Sequence, residues 1–316
     1  MVGAKNSKRL LVMALLCLLT GCSFGDEPSL CPYNVRMEYW YAGSNVENVL
    51  PVYVDNLRQY LYDSEGKLLS VSTLRGDSVA GWTGNLADGH YTVVLWGNLG
   101  DEGKAAEESV SVEGTILEDM TLSAVTEGVP PGFRGNTGRL YFGTATLDVG
   151  GGGTHLQRVY LSHAHAALSI TVQWMADKPA AGGVYRMRLK GTPAIYGFRG
   201  HREITTPGGD GTYAIPRIDG TVTYHETRAA MNYEDEVIGN FVTYRYTSGT
   251  HPIWSLWRDG KQIIRDLDLS VFFRKLPMDL DTNMEQEFDL LVTVYEDKIV
   301  VTQATLADWD EGGTIG

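Results

Sequence analysis

From Val35 onward the chain alternates apolar and polar positions with a period of two, which is the pattern of half-buried strands and not of helices. Val35, Met37, Tyr39 and Tyr41 alternate with Arg36, Glu38 and Trp40. Leu57, Gln59 and Leu61 alternate with Arg58, Tyr60 and Tyr62; the turn Asp63-Ser64-Glu65-Gly66 then leads into Lys67–Val71 as a hairpin partner. Asp88-Gly89 introduces Tyr91–Trp96, a run of Thr, Val, Leu and aromatics suited to a buried strand. Val110 and Val112 mark a shorter strand, and Leu140–Phe142 resumes one after the Pro- and Gly-containing loop Gly128–Gly138. Gln157–Trp174 reads as one long strand with Val159, Leu161, His163 and His165 on one face. Further strands are predicted at Val184–Leu189, Thr221–Tyr224 and Phe241–Tyr246. A late pair, Asp266–Phe273 with Phe288–Tyr295, precedes Ile299–Thr302. Met231–Ile238 supplies at most a turn or two of helix. The spacing of short strands and turn signals predicts an all-β chain of two consecutive β-sandwiches.

The N-terminus departs from this pattern. Lys5, Lys8 and Arg9 precede the apolar run Leu10–Leu18, which is far short of the ~18–20 residues that cross a bilayer and has the form of a secretory signal. Leu19-Thr20-Gly21-Cys22 follows and resembles a bacterial lipobox, in which the cysteine is acylated and becomes the first mature residue. Buried acyl chains contribute ~0.8 kcal/mol per methylene, so several chains anchor a protein stably. Residues 1–21 are therefore read as a lipoprotein signal peptide and 22–30 as a lipidated tether. Gly150-Gly151-Gly152-Gly153 cannot hold a strand. A linker is expected at 150–154, between a first sandwich over 31–149 and a second over 155–316.

Charge narrows the partners. The 316-residue chain carries a formal charge of −13, and signal cleavage removes three cations more. Such a surface argues against nucleic-acid binding and against electrostatic docking on an anionic membrane, which leaves membrane contact to the lipid. Of the three cysteines, Cys17 leaves with the signal and Cys22 takes the lipid. Cys31 is then alone, and neither a disulfide framework nor a cysteine zinc site can form.

Few residues invite chemistry. His163 and His165 emerge on one strand face and could chelate a metal, but Ser162, Ala164 and Ala166 offer no third ligand, so a solvated or satisfied strand face is the favoured reading. Asp266, Asp268, Asp279 and Asp281 lack the calcium-loop spacing of an EF-hand. Trp254 and Trp257 would suit sugar stacking if exposed, but are read first as plugging a sandwich core. No nucleophile elbow, phosphate loop or dinucleotide fingerprint occurs. No catalytic, cofactor-binding or metal-binding residue is assigned, and an enzyme ranks last among the readings.

A resemblance adds to this. Cys31-Pro32-Tyr33-Asn34-Val35-Arg36, Val54-Asp55-Asn56-Leu57 leading into Leu61-Tyr62-Asp63, Leu86–Asn98 and Leu140-Tyr141-Phe142-Gly143 together resemble the fimbrillin-associated anchor lipoproteins of Bacteroidales. The resemblance runs from the lipobox through Gly143. It implies two transthyretin-like sandwiches, no catalysis, and a role in fixing fimbriae to the outer membrane and limiting their length, with fimbrial stalk subunits as partners. A surface glycan-binding lipoprotein of a polysaccharide-uptake system is the competing reading. In the related stalk subunits, the resemblance implies that proteolytic loss of a first strand opens a groove for a neighbour's C-terminal strand, a case of β-strand addition. Here Ser23–Asn34 holds no Arg or Lys for a basic-specific protease, and cleavage would discard the lipid. The expectation is a chain that keeps its first strand and acts only as donor, through Leu291, Thr293, Tyr295, Ile299 and Val301.

Overall fold

The alternation at the start of the chain does build a strand. In the computed structural model, which describes residues 32–44, 46–99, 110–124, 133–179, 182–232 and 235–303, β1 is Val35–Tyr41. Its Val35, Met37, Tyr39 and Tyr41 are buried. The lipobox, the tether and the segment after Gln303 lie outside the described residues. The strands that follow are β2 (Asn56–Tyr62), β3 (Leu68–Arg75), β4 (Gly81–Gly84), β5 (Gly89–Gly97), β6 (Val110–Glu113), β7 (Thr121–Ala124), β8 (Phe133–Arg134) and β9 (Tyr141–Val149). Next come β10 (His155–His163), β11 (His165–Trp174), β12 (Tyr185–Pro193), β13 (Ile195–Thr205), β14 (Thr212–Ile218), β15 (Val222–Met231) and β16 (Val237–Tyr244). The last are β17 (Ile253–Arg258), β18 (Lys261–Asp268), β19 (Glu287–Val294) and β20 (Ile299–Gln303). The only α-helical pieces among the described residues are two single turns, Leu50–Tyr53 and Ser270–Phe273.

These strands form two curled sheets. The first runs β3-β2-β5-β9-β10-β14-β13-β7-β6, with β1 on β10 and β4 on β1; the second runs β18-β17-β12-β15-β16-β11-β19-β20, with β8 on β15. The first sheet turns over on itself at β10. That strand pairs with β9 only at Ser162 and His163, yet runs parallel to β1 from Val35↔His155 to Tyr41↔Leu161. Strand β5 shows why its sequence is apolar throughout. Val93 and Leu95 enter one core with Val35, Tyr39 and Leu161, whereas Val94 and Trp96 enter another with Phe142, Tyr196 and Phe198. A strand buried on both faces has no reason to alternate. The second sheet closes around Leu168, Ile170, Met187, Leu189, Trp254, Phe288 and Leu290.

The two sandwiches are not consecutive along the chain. Gly151, Gly152 and Gly153 adopt φ of 74°, 79° and 88°, a left-handed turn that glycine accepts without strain. This turn returns the chain, through β10, to the first core, which also holds Val159 and Leu161. The chain then passes into the second sheet at Ala164, back at Ala194, and forward again between β14 and β15. The division expected at 150–154 therefore does not separate the sandwiches, because β10, β13 and β14 complete the first sheet.

Two further expectations are corrected. The single strand Gln157–Trp174 is broken at Ala164, where it changes sheets. The strand Asp266–Phe273 ends at Asp268, whose Oδ1 accepts the Ser270 N–H at 2.9 Å and turns the chain into the helical piece. Nor do the two late segments pair with each other. β18 lies against β17, while β19 lies between β11 and β20.

Candidate functional site

The break at Ala164 concentrates the buried polar chemistry of the molecule. Because His163 ends β10 and His165 begins β11, their side chains share a face, and the rings stack with centroids 4.3 Å apart at 20°. Both residues are buried, not solvated. Tyr41, at the end of β1, donates its hydroxyl hydrogen to the Glu285 carboxylate, so its oxygen accepts from His163 Nε2 at 3.2 Å. His165 donates from Nδ1 to the Leu140 carbonyl at 2.8 Å. Each ring thus spends one nitrogen on a hydrogen bond. The others, His163 Nδ1 and His165 Nε2, are buried with no hydrogen-bond partner among the described residues.

Three elements converge on this pair. Parallel pairing of β11 with β19 places Glu287 opposite Ala167, with its Oε1 4.0 Å from His165 Nε2. Glu287 is also held by Arg139, just before β9, and both side chains are about half exposed, so the cluster meets solvent on this side. Arg245, just past β16, is wholly buried. It donates to the carbonyls of His163 (3.1 Å), Leu280 (3.2 Å) and Asn283 (2.7 Å), and its backbone N–H meets the Tyr196 hydroxyl at 2.7 Å. Gln286, also wholly buried, accepts the Tyr246 N–H at 2.6 Å and donates to the Tyr246 and Leu280 carbonyls at 2.8 and 3.0 Å. The two side chains stitch the 280–286 loop to both sheets.

Burial governs the ionisation here. It pushes the His163 imidazole down to about 2, helped by His165, Arg139 and Arg245. His165 is pushed down to about 3 by burial, against the Leu140 hydrogen bond. Both rings are therefore neutral at physiological pH. The Arg245 guanidinium is lowered to about 10 by burial and remains charged. A neutral imidazole with a fixed tautomer and an unspent lone pair has the chemistry of a metal ligand or a base.

The other residues singled out by sequence lie elsewhere. Trp254 is wholly buried in the second core. Trp257 is partly buried with the Arg188 guanidinium 4.1 Å over its ring, so neither forms a bare stacking platform. Asp266 pairs with Lys190, Asp281 accepts from Ser248, and Asp279 closes its own turn, so the four acids do not converge. Cys22 lies outside the described residues. Leu291 and Thr293 sit in β19, hydrogen-bonded on both edges to β11 and β20, and Tyr295 follows that strand. The backbone groups of Leu291 and Thr293 are spent on these two neighbours, so β19 is not a free donor strand. Ile299 and Val301 lie in β20, at the end of the sheet, with their side chains packed on the second core. Sequence reading missed Glu287, Arg245 and Gln286. A buried Arg in the pattern Tyr244-Arg245-Tyr246 was the one available signal.

Comparison with known proteins adds the following. Residues 27–233 match the family model of the fimbrillin-A associated anchor proteins Mfa1 and Mfa2. No match is found among curated protein sequences. Among solved structures, a candidate adhesin from Bacteroides ovatus gives a TM-score of 0.61 at 15% identity, covering 86% of this chain and 94% of that one. A candidate polysaccharide-binding protein from Bacteroides thetaiotaomicron gives 0.61 at 15% identity, with 86% and 98% covered. The fimbrial anchor protein Mfa2 from Porphyromonas gingivalis gives 0.60 at 18% identity, with 86% and 96% covered. At such identities these structures share the fold.

Proposed function

Because the chain belongs to the family of fimbrillin-A associated anchor proteins, we propose that it is the lipid-anchored base of a fimbria. It is held in the outer membrane through Cys22, is exposed at the cell surface, and ends the fibre because no further subunit can add to it. Among the described residues no helix is long and apolar enough to cross a membrane. The observation that carries the terminating role is β1. It is hydrogen-bonded to β10 along its whole length on one edge and to β4 along its first half on the other, and its four inward side chains are buried. A first strand so held leaves no groove for an incoming strand, so the chain contributes a strand and receives none. The contributing segment begins at β20, the last strand along the chain among the described residues, and continues beyond it.

Two variants test this. Cys22→Ala should move the protein from the membrane fraction to the soluble fraction, and a variant that still pellets after a high-salt wash would exclude the lipid anchor. Deleting residues 304–316 should leave a folded, membrane-bound protein whose cells shed long fibres. If that protein still co-purifies with stalk subunits and fibres keep their normal length, the donor assignment is wrong.

A further inference from the structure

The two buried imidazoles have a use that attachment does not require. Hydrogen bonds fix both tautomers so that His163 Nδ1 and His165 Nε2 are the lone-pair nitrogens, and these are the two ring atoms left without a partner. Leaving two buried acceptors unpaired side by side costs free energy that a fold would ordinarily avoid. Glu287 adds a carboxylate: its Oε1 lies 4.0 Å from His165 Nε2, and one ligand-type atom from each of the three residues falls within 4.8 Å of the others. We propose that His163, His165 and Glu287 hold a divalent transition-metal ion of the zinc class.

Three further observations fit the proposal. The ligand set, two imidazoles and a carboxylate, suits zinc and disfavours magnesium or calcium, which take oxygen. The remaining ring nitrogens are engaged by a backbone carbonyl and a tyrosine oxygen, the outer contacts that orient metal-ligating histidines. The half-exposed side of Glu287 supplies an entry path from solvent. Tetrahedral zinc holds its ligand atoms about 3.3 Å apart, so loading draws the three together by small side-chain rotations. It also draws Glu287 away from Arg139, which competes for the same carboxylate. His163 ends a strand of the first sheet, while His165 and Glu287 begin strands of the second. The ion therefore clamps the two sandwiches where the chain passes between them.

The test is zinc titration of the chelator-treated full-length protein by calorimetry, with thermal unfolding followed in parallel. One zinc per chain and a rise in the unfolding temperature are expected, with no response to magnesium. Glu287→Gln changes a half-exposed side chain and should fold; it should weaken zinc binding about 10-fold or more. Arg139→Ala should tighten binding, because it frees the carboxylate; a merely structural role for Glu287 would not produce this. Absence of binding at millimolar zinc would overturn the proposal. So would stoichiometric binding that neither Glu287→Gln nor His165→Gln weakens, which would place the ion elsewhere.

Discussion

Gln286 offers the sharpest test of the stitching at the junction, because its amide has neutral partners and Met has nearly its shape. In Gln286→Met the Tyr246 N–H and C=O lose the amide that meets both of them, at 2.6 and 2.8 Å. The Leu280 carbonyl and Asn283 Oδ1 keep the Arg245 guanidinium. The substitution leaves little cavity and removes no charge, so the cost reduces to two buried backbone groups left unpaired at about 1–3 kcal/mol each. A loss of about 2–6 kcal/mol is expected. Against a total stability of about 5–15 kcal/mol this is large. At about 2–4 °C per kcal/mol for chains of this class, the unfolding midpoint should fall by roughly 4–24 °C. Urea unfolding followed by near-ultraviolet circular dichroism reads the change directly. Gln262→Met, on the exposed strand β18 with one bond to Asp266, is the control and should shift stability by no more than about 0.5 kcal/mol. If Gln286→Met matches that control, the 280–286 loop is not held by this side chain, and the account of the junction fails.

The interlocked sheets make a second prediction. Residues 155–316 produced alone should lack a native near-ultraviolet signal, because β10 loses β1 and β9 and the first core loses most of its members; a native-like spectrum would restore consecutive domains. Nicking within Gly150–Gly153, an exposed turn, should leave one particle that unfolds in a single transition, whereas two separate transitions would contradict the shared core.

Much of the strand pattern was legible because half-buried strands advertise themselves. The segments around β1, β2, β3, β5, β9, β12, β16 and β19 all carry alternation or a buried apolar run that matches their place in a sheet. Strand β13 was not legible. It contains Gly197 and Gly200, and its pairing with β14 slips register twice, so the period of two is interrupted where a reader would count it. The domain boundary misled for a related reason. A run of four glycines has the composition of a linker, but positive φ at three of them makes a turn, and composition does not distinguish the two. What settles the matter is the next strand, His155–His163, whose parallel partner β1 lies at the opposite end of the first half of the chain.

The junction site shows a sharper limit. The spacing of His163 and His165 correctly placed both rings on one face, because side chains two apart on extended chain emerge together. The sequence offered no third candidate ligand because only the neighbouring positions can be searched there, and Ser162, Ala164 and Ala166 are poor donors. The third group arrives through a parallel strand pairing whose register, Ala167↔Glu287, has no local signature. Parallel partners need long crossovers, so the sequence gap between them is large and unconstrained. Burial was equally hidden. Two histidines that end an apolar face, after Val159 and Leu161, are as readily read as its solvated margin as its buried continuation. Here the face they occupy is covered by Tyr41 and Tyr141, whose rings lie 6.0 and 5.1 Å from that of His163, and by the 280–286 loop fastened by Arg245 and Gln286. A polar pair on a strand is thus informative about chemistry only once the element that covers it is known, and in this chain that element is encoded more than a hundred residues away.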